Sequence, residues 1–481
     1  MIAAARGRQI ADAFSYALIA LLLGYALSVV VAAPVRGMAD NGDYWRVMGP
    51  AGIVPAGSAA DSQYRFVQRD FDTRAVRLGR HPSSPALLAV IARGLGPLFT
   101  AASGQFDLRQ MGLVYWLLLA GLLGLGLGWR VPPPLCAALC WIVTDPRHLL
   151  FFNSFYADAL TFLVLVGVTL WLVRWGGIRR EATARRTALI AGGLLTLLLL
   201  GGMTKGAHSL LPAIGMAAAA RGWWRTARRQ RRGLRVSLAA ALILVALIPP
   251  LHFTRGTGHR FPQINEFHTV FRGIAYLSSE PERVLYRLGI PKRWWHLTGR
   301  SYFDQPVSEE LGRVLSRVSR LSVLWLYLRD PGAMVRAARR VQAVLGDGRP
   351  LWLGNYERSF EHPDRAHYAP KWRATRATSL LFGWPPAFWA FICLVGAWLV
   401  GSEIRGRAWD GTRAALWFLF TTIAVEAVVA ILGDGVFSLR RHLLPAGLCL
   451  NLMLCVWLLD LLRWGKTQWG SRCAAAASRS R

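Results

Sequence analysis

The stretch Phe14 to Ala33, FSYALIALLLGYALSVVVAA, carries no charge, and Asp40 to Met48, DNGDYWRVM, follows it closely. A hydrocarbon core about 30 Å thick is crossed by about 20 apolar residues in a helix. The first stretch therefore reads as a membrane-spanning helix, and the second as the place where the chain leaves the bilayer. Two carboxylates, an amide, two aromatic rings and an arginine crowd that place. Asp-Asn-Gly favours a turn, so Asp40 and Asp43 read as turn residues. The same carboxylates at a membrane surface also suit proton transfer. The local residues alone leave both readings open.

The rest of the chain repeats the pattern. Of its 481 residues 54% are hydrophobic and only 17% charged, and the mean hydropathy is +0.32. The apolar residues gather in long blocks, which points to an all-α polytopic membrane protein. Ten spans are expected, near 13–33, 110–129, 133–150, 154–173, 187–203, 206–220, 236–253, 382–401, 412–432 and 441–462. Many of the 21 tryptophans lie near block ends, where the ring suits the headgroup region. The net charge is +31, but its arginines lie between apolar blocks, so membrane lipids rather than nucleic acid are the expected partners. The six cysteines fall in apolar helices or the tail and indicate neither a disulfide framework nor a thiolate metal site. The glycine run Gly121 to Gly128 lies inside a span, where helix packing accounts for it.

Arginine-rich short segments set the orientation. Arg6 and Arg8, Arg174 to Arg186, Arg221 to Arg235, Arg405 to Arg413, and Arg463 to Arg472 fall on one side, read as cytoplasmic with both termini. Met1 to Ala33 is read as a retained helix, being longer than a signal peptide needs. Three regions result: a membrane module at 1–253 with an outer loop 34–109, an extracytoplasmic helical subdomain at 254–381, and C-terminal spans with a basic tail at 382–481. Within the first loop, Pro85 to Leu98 is apolar but too short to span.

The polar residues at membrane depth collect on the outer side. They are Asp40 and Asp43; Asp145, Arg147 and His148; Asn153, Tyr156 and Asp158; Lys205 and His208; and Asp434, Arg440, Arg441 and His442. Ionisable groups at this depth are costly, so they pair or serve function. A shared outward cavity is expected, in which a carboxylate accepts a proton and cationic side chains neutralise a leaving phosphate. Plainer roles remain beside each: Asp158 locking helices through Lys205, His208 and His442 as interface histidines, Arg440 and Arg441 reaching for headgroups, and Glu426 bonding a neighbouring helix.

The segments NGDYWRVM (41–48), FFNSFYADA (151–159), TKGAHSLLP (204–212), NEFHTVFRGIAYLSSEPERVLYRLGIP (265–291), LTGRSYF (297–303) and GDGVFSLRRHLLP (433–445) occur in this order. Together they resemble bacterial polytopic membrane glycosyltransferases of the GT-C superfamily, of the envelope-glycan hexose transferase type. The resemblance implies a GT-C-like architecture with about ten spans and two sizeable extracytoplasmic loops. It implies a sugar, taken as a hexose, moved from a polyprenyl-phosphate donor to an envelope-glycan or lipid-linked acceptor at the outer face of the bacterial inner membrane. It implies Asp43 as the catalytic base, with Asp40 as the alternative, and Lys205, Arg440 and Arg441 for the lipid phosphate. Asn153, Asp158, His208, Asp434, His442, Glu266 and His268 complete the expected substrate-binding set. Asn265 and Arg272 share that loop, and Trp294 and Trp295 can stack on sugar rings. A divalent metal would find only two oxygen ligands in Asp40 and Asp43, so no metal site is assigned. A flippase would carry charges through the midplane and two related halves, neither of which the sequence shows. A glycan polymerase or ligase shares the outer loop and the basic residues; the carboxylates after the first helix favour the transferase.

Overall fold

The computed structural model describes residues 2–56, 65–77, 83–99, 104–175, 184–227, 239–240, 243–251, 260–304, 307–347, 350, 352–357, 376–405 and 410–479. Parts of the two outer loops, of the basic run Arg221 to Arg235 and of the expected span 236–253 lie outside these residues.

The fold is mostly helical. Among the described residues five helices are long and apolar enough to cross a membrane: Arg6–Val31, Arg109–Gly128, Pro385–Ile404, Gly411–Asp434 and Leu444–Gly465. Others expected as spans take different forms. Residues 133–150 divide into helices Pro133–Val143 and Pro146–Leu149, because Pro146 cannot extend the first helix and Asp145 caps the second through the Arg147 N–H. Lys205 and His208 lie at a break, where the 3-10 turn Gly206–His208 separates helix Ala184–Gly202 from Leu211–Ala227.

Helix Gly411–Asp434 is the hub. It packs against Leu444–Arg479, Asp158–Trp175 and Leu211–Ala227, while the N-terminal helix Ile2–Val31 packs against Pro133–Val143 and Arg109–Gly128. Helix Asp158–Trp175 is buried along nearly its whole described length. Its polar residues must therefore find partners inside the protein.

The outer segments add what the helical pattern does not announce: two small sheets. Strands β1 (Arg36–Met38) and β5 (Leu353–Tyr356) pair antiparallel. Strands β2 (Ile53–Pro55), β3 (Asp70–Thr73) and β4 (Gln105–Asp107) form a second, antiparallel sheet. Each is only three or four residues long, too short for alternation to show. The first sheet joins the segment after the N-terminal helix to the segment before Pro385, and Arg69 supports the join 3.8 Å from Glu357. The segments after the N-terminal helix and before Pro385 are thus tied to each other at one end of the bundle.

A second tie matters more for the site. The turn after Gly411–Asp434 lies against a π-helical segment, His268–Ile274. The N–H of Val436 donates to the Arg272 carbonyl at 3.0 Å. Gly435 has φ +58°, and a Cβ there would lie 2.5 Å from the His268 carbonyl oxygen. Only glycine permits that approach.

Candidate functional site

The exit loop is held by its own polar atoms. Asp40 Oδ1 accepts the N–H of Gly42 at 2.8 Å and of Tyr44 at 3.1 Å, which is the turn expected of Asp-Asn-Gly. The buried Tyr44 donates its hydroxyl to the Met38 carbonyl at 2.5 Å and packs edge-on against Phe155 and Tyr156. Tyr156 donates to Asn41 Oδ1 at 2.6 Å and accepts the Asn41 N–H at 3.0 Å. The loop is thereby clipped to the segment FFNSFYADA, and Asp43 is fixed at the mouth of the bundle.

Asp43 meets two arginines. Its Oδ2 is 2.5 Å from Arg441 and its Oδ1 3.2 Å from Arg46. Burial pushes the Asp43 carboxyl up, but Arg441, then Arg46 and Lys205, outweigh it and hold it below the ordinary carboxylate range. Asp40 moves the other way. Burial raises it, and the backbone N–H groups of Tyr44 and Gly42 only partly offset that. Neighbouring carboxyls driven apart in this manner are a mark of sites that handle protons.

Behind Asp43 lies a buried chain of alternating charge. Lys205 Nζ is 3.9 Å and His208 Nε2 3.7 Å from Asp158 Oδ1. His208 Nδ1 is 2.8 Å from Glu426 Oε1. A carboxylate only accepts, so Nδ1 carries a proton. Lys205 and Asp158 are close enough to Asp43 to act on its charge, and Arg441 acts on Asp158 and Asp434 as well. Asp434 closes the cluster between two imidazoles, 2.7 Å from His268 Nδ1 and 3.1 Å from His442 Nε2. The backbone N–H of Tyr302 donates to His268 Nε2 at 3.1 Å. That nitrogen therefore acts as an acceptor, and Nδ1 faces Asp434. Phe437 stacks on the His268 ring with centroids 4.0 Å apart.

Of the residues expected at the site, the structure brings together Asp43, Asp158, Lys205, His208, Asp434, His442, His268 and Arg441. Asp40 stands beside them as the turn former. Glu266 approaches through Arg320, which acts on both Glu266 and Asp434; burial raises the Glu266 carboxyl. Two expected residues take other places. Asn153 donates to the carbonyls of Val30 at 3.1 Å and Arg36 at 3.0 Å. It is wedged against Gly37 and Gly112, where any Cβ would strike it. It clasps the end of the first helix instead of facing the cluster. Arg440 is exposed and makes no ion pair among the described residues, because the short helix Leu439–His442 turns Arg441 and His442 inward.

The sequence reading missed Ser301 and Tyr302, which fix His268 from a segment with no charged residue adjacent to either of them except Arg300. The bond from Arg46 to Asp43 has its sequence signal in the i, i+3 spacing within the loop. Glu426 bonds across to His208, as the plainer reading had it.

Asp40 and Asp43 are poorly suited to a divalent cation. The first spends an oxygen on two backbone donors, and the second lies between two guanidinium groups. Among the described residues no group of three or more His, Cys, Asp or Glu side chains is placed to hold a metal ion.

The family described as "YfdI N-terminal transmembrane domain" matches residues 5–477. Together with the five apolar helices, the match makes this a membrane protein. Among solved structures, the archaeal oligosaccharyltransferase AglB from Archaeoglobus fulgidus, in complex with an inhibitory peptide and a dolichol-phosphate, is similar at 14% identity and a TM-score of 0.37. The alignment covers 95% of this chain and 52% of that one, so the chain spans about half its length. A likeness that distant assigns neither fold nor function. No curated protein matches the chain.

Proposed function

Because the chain belongs to the YfdI N-terminal transmembrane domain family, we propose that it is a glycosyltransferase that moves a sugar, taken to be a hexose, from a polyprenyl-phosphate donor to an envelope-glycan or lipid-linked acceptor. The reaction takes place at the outer face of the bacterial inner membrane. The observation that carries this reading is the convergence of one half-buried carboxylate, Asp43, with Arg441, Lys205 and Asp158.

In the proposed reaction Arg441 and Lys205 hold the donor phosphate. Arg441 offers a planar fork of N–H groups, and Lys205 a compact charge. The acceptor hydroxyl attacks the anomeric carbon, the bond from that carbon to the phosphate oxygen breaks, and the hydroxyl proton passes to Asp43. Arg441 has a double task. With no donor it neutralises Asp43; once a phosphate draws it away, the largest charge opposing burial is lost and Asp43 becomes a better base. Cations aimed at the leaving oxygen are worth the most in a site that excludes water.

The test is transfer by purified protein in lipid, with polyprenyl-phosphate hexoses and nucleotide sugars offered separately. Turnover of the lipid-linked donor alone supports the reading. Turnover of the nucleotide sugar alone overturns it.

A further inference from the structure

A gap of 3.7 Å separates two buried polar atoms inside the cluster, Asp158 Oδ1 and His208 Nε2. Asp158 Oδ1 and His208 Nε2 have no hydrogen-bond partner among the described residues. Their side chains are only 2% and 1% exposed, and the two atoms face each other at 3.7 Å. Lys205 Nζ stands 3.9 Å from the same Asp158 oxygen and is 16% exposed, which marks the way in. At these separations the groups attract as ions but form no hydrogen bond. Buried polar side chains are otherwise bonded in native proteins, and an orphan is costly. Two orphans facing each other at this distance can both be satisfied by one bridging atom.

The charges around the gap define that bridging atom. A phosphate oxygen only accepts, and Asp158 would repel it. An ammonium only donates, and Lys205 would repel it. A hydroxyl does both. It can donate to Asp158 Oδ1 and accept an N–H from Lys205. It can also meet His208 Nε2 in either protonation state, because Nδ1 is committed to Glu426. Glu426 is then a positioning residue that fixes the imidazole, and Thr161, bonded to Thr204 at 3.1 Å, holds the two backbones in register.

We propose that Asp158, Lys205 and His208 form a recognition subsite for one hydroxyl of the transferred sugar, and that this subsite decides which sugar is accepted. The proposal rests on the glycosyl-transfer reading above. Lys205 serves both groups, one N–H on the hydroxyl and another on the phosphate. The subsite lies beside the phosphate pocket because Arg441 acts on both Asp43 and Asp158.

The experiment compares kcat/KM for the complete polyprenyl-phosphate hexose with that for donors lacking one hydroxyl at a time. It uses the full chain in nanodiscs, as wild type and as Asp158→Asn. A site built to bond a hydroxyl rejects the analogue without it by as much as about 10⁴-fold. One deoxy donor is therefore expected to lose at least about a hundredfold with wild type and less than about tenfold with Asp158→Asn. The other deoxy donors should show similar ratios with both proteins. Identical ratios for every donor in the two proteins would overturn the proposal and leave the gap to a bound water. Should Asp158→Asn not fold, His208→Gln provides the same comparison with the carboxylate retained, and the same two outcomes decide. Failure of the glycosyl-transfer reading looks different: wild type then turns over no lipid-linked donor at all.

Discussion

Gly435→Ala probes the seam between the segment His268–Ile274 and the turn that follows helix Gly411–Asp434. The residue has φ +58° and ψ −133°, a region essentially reserved for glycine, and holding alanine there costs about 1–3 kcal/mol. The new Cβ would lie 2.5 Å from the His268 carbonyl oxygen, 2.7 Å from the Gly273 nitrogen and 2.8 Å from the Arg272 carbonyl carbon. All three are backbone atoms, so no side chain can swing aside, and overpacking adds about 1–3 kcal/mol. The expected loss is about 2–6 kcal/mol, a large part of a typical stability. The same displacement would pull His268 from Asp434. Gly433→Ala is the matched control: it sits two residues earlier on the helix, and a Cβ there meets nothing within 4 Å. The assay is thermal inactivation in detergent, followed by tryptophan fluorescence and monodispersity. Gly435→Ala should melt well below wild type and Gly433→Ala at or slightly above it. Equal midpoints for the two variants would refute the seam.

Further outcomes follow from the site. Arg441→Gln should lower kcat/KM by about 10²–10³-fold, the usual cost of one donor to a developing anion. It should also move the acid limb of the pH–rate profile to higher pH. Asp43 works as a base only above its own pKa, and Arg441 is the main group holding that value down against burial, so its loss raises it; an unmoved limb would contradict the pairing. Arg440→Ala should change kcat/KM by less than about threefold, since exposed side chains with no partner contribute little, and steady-state kinetics on the same donor checks it. EDTA treatment should leave the rate unchanged, because Asp43 is committed to guanidinium groups; a loss restored by added Mg²⁺ or Mn²⁺ would contradict that.

What the sequence disclosed follows the scale of each signal. Blocks such as Phe14 to Ala33 declare membrane helices because twenty apolar residues have few other uses. The convergence of Asp43, Asp158, Lys205, His208 and Asp434 was legible for a related reason. Ionisable residues at helix ends on one side have few partners other than one another. The choice between Arg440 and Arg441 was not legible. It depends on the one-turn helix Leu439–His442, entered through Ser438 at φ 52°. The part played by Asn153 was hidden because its partners are the carbonyls of Val30 and Arg36, far away in sequence. Strands β1 and β5 were hidden likewise, since about three hundred residues separate two very short segments. The setting of the His268 ring depends on the backbone N–H of Tyr302, and residue types cannot report that.

The central claim is that Asp43 accepts the acceptor's proton in a sugar transfer from a lipid phosphate. The most direct measurement is the single-turnover rate of Asp43→Asn with a defined polyprenyl-phosphate hexose. Protein folding is checked by thermal midpoint, and donor binding is measured separately. The account predicts normal folding, retained donor binding and a rate lowered by about 10²–10⁴-fold, the range for a lost general base. A well-folded Asp43→Asn protein transferring sugar at the wild-type rate would contradict it.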